Sequence, residues 1–123
     1  MKRYRIEVDF CCGAMCAKFF EIDGWREEKT YHEHASQEAY ERWRDTPSDS
    51  LEEKIAEFYG LLEALKTLLK KLVEDGKLTQ AQADAELEKW LRNNPNPDPE
   101  AQPINVTEEF KKVQRRVYVP KER

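Results

Sequence analysis

Three cysteines, Cys11, Cys12 and Cys16, fall within six residues, and two histidines, His32 and His34, follow on a stretch of alternating residues. Thiolate sulfur and imidazole nitrogen are donors for tetrahedral zinc, and in an extended chain the two imidazoles project from one face. The spacing argues against that chemistry. Cys12 and Cys16 lie four apart instead of at the two-residue gap of a zinc knuckle, and adjacent Cys11 and Cys12 point oppositely on a strand. Nor does the order of residues place a base, an orienting carboxylate and an oxyanion hole around one thiol. Glu33, between the histidines, reads as surface charge, because a general acid needs a buried, perturbed carboxylate.

The simpler expectation is that the cysteines fill small apolar sites at a sheet edge as reduced thiols. Three cannot all pair, and a bridge within so short a stretch is geometrically awkward. No catalytic residue, metal or cofactor is therefore expected, and the chain reads as a non-enzyme. A glycine-rich phosphate cradle is also excluded, since Gly13, Gly24, Gly60 and Gly76 are never two or three apart.

Charge restricts the partners. The 123 residues carry 21 basic and 25 acidic side chains, a net charge of −4, which opposes global attraction to nucleic acid or anionic lipid. Lys111, Lys112, Arg115 and Arg116, with Tyr118, Arg3 and Arg5, could form a basic strip if the two ends pair in one sheet. Balancing the acidic middle explains the same residues, so direct nucleic-acid binding is not expected. Between residues 21 and 57 acids predominate, among them Glu27, Glu28, Glu33, Glu38, Glu41, Glu52 and Glu53.

The elements that would position these groups are legible from periodicity. Residues 3–10 alternate, with Tyr4, Ile6, Val8 and Phe10 against Arg3, Arg5, Glu7 and Asp9, the pattern of a strand buried on one side. Residues 17–23 could return beside it through a loop over 11–15, and Tyr31 among Thr30, His32 and His34 marks a third, exposed edge strand over 26–34. Ser36 offers an N-cap to a short helix that carries Ala39, Tyr40 and Trp43 and stops before Pro47.

Leu51, Ile55, Phe58, Leu62, Leu65, Leu69 and Leu72 then recur at alternating spacings of four and three, the packing seam of a long helix. Ser50 and Glu53 form its capping box, Gly76 its stop, and about 25 residues make a rod of roughly 37 Å. Gly60 costs about 1 kcal/mol against alanine in mid-helix and marks a close helix contact or a bend. Thr79 and Gln82 start a third helix that folds back antiparallel, with Ala83, Leu87, Trp90 and Leu91 as its apolar face and Ala81 and Ala85 permitting close approach.

The expected architecture is one α+β domain over residues 1–123. Residues 1–46 form a small antiparallel sheet plus a short helix, 48–93 a long helical hairpin, 94–103 a proline-rich connector and 104–123 a C-terminal segment that adds a strand to the sheet. The third helix covers only about half of the leucine stripe, so the remainder must be covered by the sheet, by the first helix or by another molecule, and the expectation here is that more apolar surface is left than the chain hides, for a second copy in a homodimer or a different protein. Trp25, Glu27, Glu28, Trp43, Glu52 and Glu53 are the candidate partner-binding residues.

The function these features favour is a small cytoplasmic protein-binding module. An acidic surface and a helical hairpin would let it block a nucleic-acid-handling partner, in the manner of inhibitors encoded by phages and mobile elements. The alternative is a Cys/His zinc-binding or nucleic-acid-binding accessory protein. No run approaches the roughly 18 apolar residues of a membrane span, so no membrane role is expected.

Overall fold

The computed structural model describes residues 3–11 and 13–100. In chain order they form β1 (Arg3–Cys11), β2 (Ala14–Asp23), β3 (Arg26–His34), α1 (Gln37–Arg44), α2 (Leu51–Glu74) and α3 (Gln80–Asn93). The strands make an antiparallel meander in the order β1-β2-β3, and with the helices the architecture is α+β. The C-terminal strand expected within residues 104–123 lies outside the described residues. No helix among them is long and apolar enough to cross a membrane.

The first connection is tighter than its sequence implies. Instead of a loop over 11–15, Cys11 pairs directly with Ala14, so Met15 and Cys16 belong to β2 and project from opposite faces. The second connection is also a two-residue turn, between the paired Asp23 and Arg26, with Gly24 at φ 63° in its first position. A positive φ there is what glycine supplies without steric cost.

Register places Ile6 opposite Phe19, Val8 opposite Ala17 and Phe19 opposite Tyr31. Phe19 stacks on Tyr4 at 5.4 Å between ring centroids and meets Tyr31 edge-on at 5.8 Å. A bulge between Phe19 and Phe20 shifts the β3 partner from Tyr31 to Lys29. A one-residue shift inverts the faces of a strand, so the bulge puts Tyr31 in the core while Glu27 and Lys29 share the outer face with His32 and His34.

The helices begin where their capping residues require. Ser36, Ser50 and Thr79 each accept a backbone N–H three residues on, at 3.0–3.1 Å. Gln82 returns the bond to Thr79, whereas Glu53 accepts instead from the Asp49 N–H at 3.1 Å.

Phe58, Leu62, Leu65, Leu68, Leu69 and Leu72 of α2 are buried in a single cluster with Ala17 and Phe19 of the sheet and with Leu78, Ala83 and Leu87. This corrects the expectation of surplus apolar surface. Strands of nine or ten residues run roughly 30 Å, nearly the length of the helix, and cover the flank that α3 leaves open. At the N-terminal end Ile55 is half-buried and Leu51 remains 48% exposed, too little to demand a second copy.

Gly60 marks a close approach to a strand instead of a helix contact or a bend. A Cβ there would overlap Sδ and Cε of the fully buried Met15, so α2 reaches β2 only because this position lacks a side chain. On α3, Ala83 and Leu87 face inward and Trp90 lies 5.4 Å from Phe58. Ala81 and Ala85 do not provide the close approach. They are exposed, since two residues along a helix rotate a side chain by about 200° from the buried Ala83.

Two tyrosines tie the sheet to the helical layer. Tyr4 donates to Glu86 Oε2 at 2.8 Å and Tyr31 to Asp75 Oδ2 at 2.7 Å. Burial, then the Glu86 bond, raises the Tyr4 pKa to about 12; the Asp75 bond, then burial, raises that of Tyr31 to about 12. The unfolded phenols ionise near pH 10. The unfolded chain therefore releases protons first, and stability is lost as pH rises from about 10 towards 12. Phenolate absorbance followed beside circular dichroism should show these two tyrosines ionising as structure melts. Ionisation of every tyrosine near pH 10 with the fold intact would contradict the assignment.

Candidate metal centre

The core takes one parity of each strand, and the opposite parity points away from the helices. On that outer face the two-residue turn sets Asp9 opposite Cys16 and Cys11 opposite Ala14, so Cys11 and Cys16 meet diagonally across the hairpin. β3 adds His34 opposite Cys16 and His32 opposite Lys18. Three adjacent strands thus deliver two sulfurs and two imidazoles to one end of the sheet.

The ligand atoms of Cys11, Cys16 and His32 all lie within 4.8 Å of one another. His32 Nε2 is 2.9 Å from Cys11 Sγ, and Asp9 Oδ1 is 3.7 Å from Cys16 Sγ. Cys16 is completely buried although it stands on the outer face. His34 stacks on His32 with centroids 4.5 Å apart.

Cys11 and Cys16 are joined as a disulfide with Cα atoms 6.3 Å apart, inside the range such bridges need. The expectation of unpaired thiols is therefore corrected. It measured separation along the chain, whereas the hairpin folds that separation into a cross-strand diagonal. Cys12 lies outside the described residues.

The surroundings of His32 favour its neutral form. Burial is the largest cause of its lowered pKa, followed by His34, Lys29 and Lys18, with Glu33 opposing. A neutral imidazole retains a lone pair for a metal. Lys18 is paired with Asp9 at 3.6 Å, and Lys29 Nζ lies 3.5 Å from His32 Nδ1.

The residues singled out for partner binding do not converge. Trp25 occupies the tip of the β2–β3 turn and is 98% exposed. Glu27 and Glu28 follow it on β3 and, with Glu21, Asp23 and Arg26, line a groove of about 390 Å³. Glu27 is already paired with Arg5, whose guanidinium lies 4.2 Å over the Phe20 ring, and Glu21 with Lys77 at 3.3 Å.

Glu52 and Glu53 stand at the opposite end of the molecule. Lys77, just past the end of α2, reaches Glu21 near the hairpin tip, so the first turn of this 24-residue helix is roughly 36 Å away. Trp43 packs against Phe10 at 5.1 Å and Tyr40 at 6.0 Å, with its indole N–H enclosed and without an acceptor among the described residues. It packs α1 against the end of β1.

The signal that would have found the centre is positional parity. With Gly13 as a turn residue, strand alternation alone places positions 9, 11, 14 and 16 on one face. Comparison with protein-family models, with curated proteins and with solved structures gave no match.

Proposed function

We propose that this protein is a small non-catalytic metal-binding module that, when its thiols are reduced, holds zinc through Cys11 Sγ, Cys16 Sγ and His32 Nε2, with His34 as fourth donor. The observation that carries the reading is the convergence of three such donors, one from each strand, within 4.8 Å. Two sulfurs and two imidazoles are a preferred zinc set, and four protein donors leave no coordination position open for substrate or activated water. His34, two residues from His32 on the same face, enters by turning its ring out of the stack. Asp9 stays outside the set as the ion-pair partner of Lys18.

Titration of the reduced full-length chain with zinc, and with cobalt as a coloured substitute, tests this. The expected result is uptake of a single equivalent, with the visible bands of tetrahedral cobalt and a sulfur-to-metal charge-transfer band. Bound zinc at about a hundred times its dissociation constant should raise stability by about 2.7 kcal/mol. Reduced protein that takes up no metal would remove the reading.

One observation favours a second role, the nearly complete exposure of Trp25. An aromatic anchor beside Glu27 and Glu28 offers a basic protein partner a contact at the hairpin tip, which retains the protein-binding function without requiring the leucine stripe. A pull-down with Trp25→Ala should lose a partner that the parent chain captures while zinc uptake is unchanged. Equal capture by both proteins would end this second role.

A further inference from the structure

We propose that zinc occupancy is governed by the oxidation state of Cys11 and Cys16, so that the site is a redox-gated zinc store or switch rather than a permanently loaded structural centre. The inference rests on the zinc reading above and adds its regulation. The same two sulfurs that contribute to the metal-ligand cluster also form the disulfide. The two uses exclude each other. Zinc requires two thiolates about 2.3 Å from the ion, which sets the sulfurs roughly 3.8 Å apart, whereas a disulfide brings them to about 2 Å and removes their negative charge.

The scaffold accommodates both states. Cα atoms 6.3 Å apart across a hydrogen-bonded hairpin let the sulfurs separate by side-chain rotation, with the strands held in register. His32 Nε2 already stands 2.9 Å from Cys11 Sγ, close to where it would sit as a ligand once the bridge opens. A purely structural bridge gives no reason for two imidazoles beside it on the neighbouring strand. The main apolar cluster lies on the opposite face of the sheet, built from Ala17, Phe19 and the α2 leucines, so it is not taken apart when the sulfurs change state.

A peroxide is the oxidant class that would drive release. One thiolate attacks a peroxide oxygen, breaking the O–O bond to give a sulfenic acid and hydroxide. The second thiolate then attacks that sulfur, forms the S–S bond and expels the second hydroxide. Two electrons pass from the sulfurs to peroxide, both Zn–S bonds are lost, and the ion leaves the two imidazoles. A thiol reductant reverses the bridge through a mixed disulfide and restores the zinc-binding thiolates.

The test loads the reduced full-length chain with a single equivalent of zinc and adds hydrogen peroxide in steps. Released zinc is read with a chromogenic chelator, and the bridge by intact mass and peptide mapping. Zinc release in proportion to Cys11–Cys16 linkage, reversed by reductant and reproduced by Cys12→Ser, is the expected result. Zinc retained after peroxide treatment, or released without that linkage, overturns the gating alone. A reduced chain that binds no zinc while still forming the bridge overturns the metal reading and the gating with it.

Discussion

Leu69→Ala is expected to destabilise the fold by about 2–5 kcal/mol, a large part of the roughly 5–15 kcal/mol that holds a domain together. Leu69 is completely buried in the cluster that joins α2 to the sheet, so truncation removes transfer energy and leaves a cavity in a close-packed layer. The sheet's hydrogen-bonded ladder limits collapse into that void. Urea unfolding should show a lower midpoint at an unchanged slope. Leu51→Ala, at the half-exposed start of the same stripe, should cost less than about 1 kcal/mol. Equal losses at the two positions would mean that the N-terminal end of α2 is covered by a neighbour, and the parent chain would then sediment as an oligomer.

Cys16→Ser should weaken zinc binding by more than about 100-fold, since even outer partners of metal ligands are worth 10–100-fold. Serine is nearly isosteric, and its hydroxyl would face Asp9 as an acceptor, so the variant should fold. His34→Ala should fall in the same class if that ring completes the tetrahedron. Asp9→Ala and Cys12→Ser should bind nearly as the parent does. Competition against a chelator of known affinity, beside a urea curve for each variant, separates lost ligation from lost structure. If Cys12→Ser loses as much as Cys16→Ser, the assigned ligand set is wrong.

The helix starts and strand faces were legible because they are local. A cap bonds residues three apart, and strand alternation needs only the next neighbour but one. Ser36, Ser50 and Thr79 therefore appear at the expected N-termini, and Tyr4, Ile6 and Val8 face the core as their alternation implies. Gly60 could be flagged from its helix-breaking type alone, but the atom that needs its space, the Met15 sulfur, is 45 residues away.

The candidate site was not legible for a related reason. Its residues were all noticed, but zinc-knuckle spacing assumes that consecutive ligands come from a single turn of chain. Here they come from three strands, and their meeting depends on a two-residue turn, a pairing register and a bulge. The partner-binding set failed to gather for the converse reason: residues near in sequence were separated by the length of α2.

From sequence alone came the identity of the elements, their N-caps, the polar and apolar faces of β1 and the non-basic balance of charge. Each depends on neighbours within a few residues or on composition. Tertiary structure decided what covers the leucine stripe, which cysteines meet, and whether the acids share a surface. Those outcomes follow from how the buried faces pair. Hydrophobic burial specifies that a face must be covered, but it is non-directional and does not specify by what.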